Sequence, residues 1–164
     1  MLKPAQLYKE KIESLFVNTW YDEKYMFYSG WAGNELPAIP DSNYNTHNFV
    51  SVDSEENVIG YISYQVNWAA MSADSFGIIS FRNSVEFAKD VYQAICDLFE
   101  KYNMNRVSWC AFVENPAIKG YRNFIKKCGG RECAYHRQIA RLIDGKLHDN
   151  VEFEILASEF KKLN

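Results

Sequence analysis

RVSWCAFVENPAIKGYRNFIKKCGG, residues Arg106 to Gly130, carries a strand that runs into a proline-started helix. Val107, Trp109, Ala111 and Val113 alternate with Ser108, Cys110 and Phe112, the period of two that a pleated strand imposes on its faces. Asn115 and Pro116 read as a helix N-cap and a first-turn proline, so the strand ends at about Glu114. Beyond them Ile118, Tyr121, Ile125 and Cys128 recur at three- and four-residue spacing, while Lys119, Arg122 and Lys126 form a second, basic stripe. Gly129 and Gly130 stop the helix, because glycine accepts the backbone angles that end one.

Working outward, residues Arg131 to Ile143 read as a long strand, and Asp144-Gly145 is a strong hairpin signal. Val151, Phe153 and Ile155 alternate with acidic residues on the returning strand. On the other side, Ser84 can cap a helix whose Val85, Ala88, Val91, Ile95, Leu98 and Tyr102 form one apolar stripe ending near Asn103. Before it, Thr46 to Val52 and Val58 to Val66 look like strands joined by the polar turn Asp53 to Asn57. Phe76 to Phe81 reads as a third, more fully buried strand, and the three form an antiparallel meander. A helix between Phe76–Phe81 and Val107–Val113 lets those two strands run parallel. Ala5 to Phe16 has helical periodicity, and Gly30 to Tyr44, with Gly33, Pro37 and Pro40, reads as an ordered surface loop. The order is helix, three strands, helix, strand, helix, two strands: an α/β fold with a mixed sheet.

At 164 residues without a linker or low-complexity run, the chain fits one domain, residues 1–164. A net charge of −3 argues against general nucleic-acid affinity, which needs clustered positive charge. No apolar run resembles a signal peptide or spans a bilayer, so a cytoplasmic protein without a membrane partner is expected. Cys96, Cys110, Cys128 and Cys133 lack paired spacing and read as reduced, buried thiols. Trp20, Tyr21, Tyr25, Phe27, Tyr28 and Trp31 crowd into one region, either as core or as the wall of an acceptor pocket. Cys128, Cys133 and His136 do not make a metal site: no fourth ligand is near, and the parity of Cys133 and His136 sends their side chains to opposite faces.

The element order, with NPAIKGY, the paired glycines and RLIDGKLHDNVEFEIL, resembles the GCN5-related N-acetyltransferase superfamily over roughly Asn45 to Phe160. The likeness is strongest to members acting on amino groups of small molecules or protein N-termini. It implies a single-domain fold with a mixed, mostly antiparallel sheet flanked by helices, whose fourth and fifth strands splay apart. Acetyl-CoA, as co-substrate, would insert its pantetheine arm between them by strand addition. Here those strands are Phe76–Phe81 and Arg106–Val113. The acceptor would be an amine-bearing small molecule or peptide, no metal is called for, and a homodimer is left open.

Residue by residue, the resemblance makes Asn115 a pantetheine contact and Tyr121 the group that protonates the departing thiolate, although their spacing is one residue shorter than usual. A helix cap and a core side chain are the other readings of these two. Ile78, Ile79, Ser80 and Phe81 form the strand edge facing the cofactor, with the N–H groups near Ile79 and Ser80 offered to the developing oxyanion. Relatives then carry a glycine-rich loop for the pyrophosphate, whereas this chain has Phe81-Arg82-Asn83-Ser84-Val85-Glu86-Phe87. Arg82, Asn83 and Ser84 can still contact phosphate, and Lys119 and Arg122 either add charge or form a solvated face. Glu114 is the candidate base beside the cleft, and Asp149 reads as a structural partner at the last hairpin. The glycine-free loop also supports an alternative: a non-catalytic module of the same fold that binds a ligand or protein.

Overall fold

The computed structural model describes residues 1–29 and 35–163. One seven-stranded sheet, in the order β1-β2-β3-β4-β5-β7-β6, organises the molecule. Its strands are β1 (Leu2–Pro4), β2 (Thr46–Val52), β3 (Val58–Asn67), β4 (Ser72–Ser80), β5 (Arg106–Phe112), β6 (Arg131–Arg141) and β7 (Leu147–Leu156). Neighbours pair antiparallel except β4 and β5, the pair joined through helix α3 (Val85–Glu100). The remaining helices are α1 (Lys9–Val17), the short α2 (Met26–Ser29) and α4 (Ile118–Cys128).

Alternation along β3 sorts side chains into two layers. Ile62 and Tyr64 face α3 and α4 in a core with Leu98, Val107, Trp109 and Phe153, while Tyr61 points the other way to Ile12, Phe16 and Ile79 beneath α1. A bare Gly60 lets α3 come close to the sheet, because a Cβ there would run into the Phe87 ring. Gly129 and Gly130 (φ 91° and 96°) end α4 as expected, and each would drive a Cβ into a carbonyl oxygen, of Glu159 and Glu154 respectively. Asp144-Gly145 turns β6 into β7, with Asp144 Oδ1 accepting from the Lys146 amide at 3.0 Å.

Several expectations need correcting. An additional strand, β1, lies beside β2, so Phe76–Phe81 belongs to the fourth strand of the sheet. The N-terminal helix begins as a 3-10 turn (Ala5–Tyr8) and becomes α-helical at Lys9. β4 starts earlier than Phe76 and is only partly buried, with Ala73 and Ile79 its enclosed residues, because β5 leaves its side. Val85 and Ala88 lie exposed at the start of α3, and Phe87 takes the inward position. α4 starts at Ile118, so Pro116 precedes the helix in a turn. Residues 35–45 hold no helix or strand, as the loop reading expected; its residues 30–34, Trp31 among them, lie outside the described residues. No described helix is long and apolar enough to cross a membrane.

Candidate active site

The two parallel strands touch at one end only. Ser72 pairs with Arg106 and Ala73 with Val107, and no further pairing follows. That end is fastened by the Met71 carbonyl, which accepts from the amides of both Asn105 (2.7 Å) and Arg106 (3.3 Å). Immediately beyond, β4 is bulged: its register with β3 shifts between Ser63↔Gly77 and Gln65↔Asp74, and Ser75 sits at φ 55°. A bulge bends its strand and increases the local twist, and here it carries β4 away from β5. The splayed fourth and fifth strands expected from the sequence are therefore present.

Two adjoining cavities occupy the opening. One, of about 360 Å³, lies over the apolar sides of α3 and α4, with Val91, Ile95, Gly120 and Phe124 in its wall. The other, about 220 Å³, is walled by Phe27, Cys110, Phe112, Asn115 and Asn150. Tyr28, Phe76, Ile78, Trp109 and Tyr121 line both. The crowded aromatic segment thus divides its labour: Tyr25 is core, Phe27 and Tyr28 are wall, and Tyr21 is exposed.

Tyr121 stands at the junction, its ring 6.0 Å from Trp109 and 5.9 Å from Phe153. Burial, with a smaller contribution from Tyr28, pushes its phenol up to about 12. The side chain reaches cavity space yet is ringed by protein atoms, so the hydroxyl stays protonated across the working range of pH. Trp109 is only 4% exposed, and among the described residues its indole N–H has no partner and the buried Asn150 Oδ1 has no donor. Such groups are costly unless something else satisfies them. Asn115 Oδ1 accepts from the Ala117 amide at 2.8 Å, and the residue lines the smaller cavity. The cap acts on the turn ahead of α4 rather than on the helix itself.

The other candidates scatter. Ile78 and Ser80 face the opening, whereas Ile79 is buried in the opposite layer and Phe81 packs there against Phe16 at 5.7 Å. The amides of Phe81 and Arg82 are taken by the Ile59 carbonyl at 3.0 and 3.3 Å, and the Arg82 guanidinium turns to Asp53 at 3.4 Å. Asn83 is exposed, and Ser84 Oγ accepts from the amides of Glu86 and Phe87, which caps α3 from within. Neither Lys119 nor Arg122 lines either of these two cavities; Arg122 is paired to Glu132 at 2.7 Å.

Glu114 also lies outside both linings and is half-exposed, its carboxylate 3.5 Å from His148 Nδ1. Burial of His148 works against its charged form, but Asp144 and Glu114 outweigh that and hold its pKa above the ordinary value. Asp149 is structural, accepting from Tyr135 Oη at 2.6 Å and from the Gln138 amide at 2.7 Å. Among the described residues no three His, Cys, Asp or Glu side chains gather as a metal site.

Trp109, Asn150 and Cys110 escaped the sequence reading. The alternation that placed Trp109 inside a strand could not tell core from cleft. Cys96 and Cys128 are buried as expected, but Cys110, on β5 beside the opening, is exposed, and Cys133, on the edge strand β6, is half-buried. Burial and then Glu152 raise the Cys110 thiol, which disfavours the thiolate a nucleophile would need.

The seam that opens beyond Ala73 and Val107 decides the architecture. The chain has the GCN5-related N-acetyltransferase fold. The chain superposes on a probable acetyltransferase with TM-score 0.75 and 18% identity, over 97% of this chain and 93% of the other. A spermidine N-acetyltransferase from Vibrio cholerae in complex with CoA and spermine gives 0.69 at 17% identity, covering 97% and 96%. A mutant form of the Vibrio cholerae spermidine/spermine N-acetyltransferase SpeG gives 0.61 at 24%, over 71% and 69%. No protein-family model and no curated protein matches the sequence. At identities of 17–24% the likeness is one of backbone fold.

Proposed function

We propose that this chain is an N-acetyltransferase that carries an acetyl group from acetyl-CoA to a primary amine. The observation that carries the reading is the open seam between β4 and β5 with the protonated Tyr121 at its centre. Acetyl-CoA supplies, when bound, a thioester on a long amide-bearing arm. The unpaired outer edge of β4 from Asp74 to Ser80 suits that arm, since backbone groups at a sheet edge bond an added extended chain. Asn115, with Oδ1 committed to Ala117, offers its amide nitrogen, and the Trp109 indole supplies a second donor. Tyr121 holds a proton at Oη, where a leaving sulfur would need one. Four unpaired thiols accord with work in the cytoplasm.

One region favours the second reading, a binding module without turnover. The phosphate end has no glycine, the first-turn amides Glu86 and Phe87 are already bonded to Ser84, and Glu86 brings negative charge. The two readings separate in one measurement. Acetyl-CoA at millimolar concentration is expected to raise the melting temperature, since a ligand of the folded state stabilises by mass action, and a free-thiol assay is expected to register CoA release when amines are added. Absence of the melting shift overturns the enzyme reading.

A further inference from the structure

The smaller cavity has a chemical character that narrows the acceptor, given the acetyltransferase reading. Among the described residues its wall contains rings, two amides and a thiol, and no Asp, Glu, Lys, Arg or His. The nearest carboxylate in register is Glu152, opposite Cys110 across the β5–β7 ladder, and it is held by Arg106 at 3.0 Å with His136 at 3.8 Å. Glu114 is turned to His148 and Asp149 to Tyr135. A polyamine carries several ammonium charges, and each needs a counter-charge or water when it leaves bulk solvent. This wall provides for one amine nitrogen at most, through ring faces and the oxygen of Asn150.

We infer that the acceptor is a small monoamine with an aromatic or apolar body, seated between Phe27, Phe76 and Phe112 with its nitrogen toward Asn150. At about 220 Å³ the space is smaller than the roughly 300 Å³ at which drug-sized sites begin, so a single ring with a short aminoalkyl arm is the right scale. The same wall explains the missing base. An ammonium moved into apolar surroundings loses hydration, and its neutral, attacking form is favoured without a carboxylate.

The test compares phenethylamine with spermidine on the full chain, by kcat/KM from CoA release. Labelling of Cys110 by a maleimide, followed by peptide mass, reports occupancy of the same cavity independently of turnover. Phenethylamine is expected to be preferred by at least about tenfold and to slow Cys110 labelling, while spermidine leaves labelling unchanged. Cys110→Asp, which places a carboxylate in the wall, is expected to move the preference toward spermidine. Preference of the wild-type protein for spermidine, or Cys110 labelling indifferent to phenethylamine, overturns the inference. If these occur while acetyl-CoA still shifts the melting temperature, the acetyltransferase reading stands and the acceptor class falls; if the shift is absent, both fall.

Discussion

β5 has two edges with the same kinds of backbone group, and they meet opposite fates. Toward β7 each of its residues from Arg106 to Phe112 has a partner, whereas toward β4 only Arg106 and Val107 do. The closed edge is reinforced by side chains: Arg106 bridges Glu154 at 2.8 Å and Glu152 at 3.0 Å, and Trp109 stacks on Phe153 with ring centres 5.5 Å apart. The open edge faces a neighbour bent by the bulge at Ser75. Openness is therefore a property of β4, imposed on a strand that pairs fully wherever a straight partner is offered.

That contrast can be broken from either side. Gly130→Ala attacks the closed side, because its Cβ would press on the Glu154 carbonyl from a backbone with φ 96°. A loss of about 3 kcal/mol is expected in urea unfolding, and a change near zero would mean that the α4–β6 connection yields easily. On the open side, Tyr121→Phe keeps the ring packing and removes the proton. The acetylation rate is expected to fall roughly 100-fold while the melting shift with acetyl-CoA is kept; an unaltered rate would leave Tyr121 a packing residue.

Glu154→Gln sharpens the closed side more gently. Glu154, a residue 7% exposed, serves Arg106 and Arg131 through its carboxylate, and solvent around the part-exposed arginines limits the expected cost to about 2 kcal/mol at neutral pH. Arg106 first and Arg131 second hold the Glu154 pKa below the ordinary glutamate value. Its stabilisation is thus complete above that ordinary value and fades as pH falls through the folded-state pKa. Melting curves of wild type and variant should converge on acidification, and a widening difference would contradict the assignment. Ser84→Gly has the smallest expected effect, a few tenths of a kcal/mol in stability, yet it releases the Glu86 and Phe87 amides. The melting shift with acetyl-CoA should then grow; if it does not, phosphate lies elsewhere.

Much of this was readable in the residues, and the exceptions share a cause. Thr46–Val52 forms β2 with the bounds read from the sequence, Ser84 caps α3, and the paired glycines stop α4. Asn115 and Tyr121 do reach the opening, because a strand end and the next helix turn are fixed by local geometry. β1 was missed since three residues, one a proline, carry no period. The first half of β4 was missed because its bulge at Ser75 breaks the period of two between Ser72 and Phe76. Long-range pairing is what failed most: Arg82, Arg122 and Glu114 had plausible charges for the site, but Asp53, Glu132 and His148 engage them, and no local pattern encodes those encounters. Trp109 and Asn150 became visible only through their buried polar atoms, which lack partners among the described residues.

The Met71 carbonyl, gripping two amides where the strands meet, works like the rivet of a pair of shears. Blades joined at one point leave a gap that narrows steadily toward it, so depth of entry is graded by thickness. A slender chain slides far in from the Ser80 end before the walls stop it, and a bulkier tip halts sooner. Whatever enters must stop short of Ala73 and Val107, where the ladder is closed.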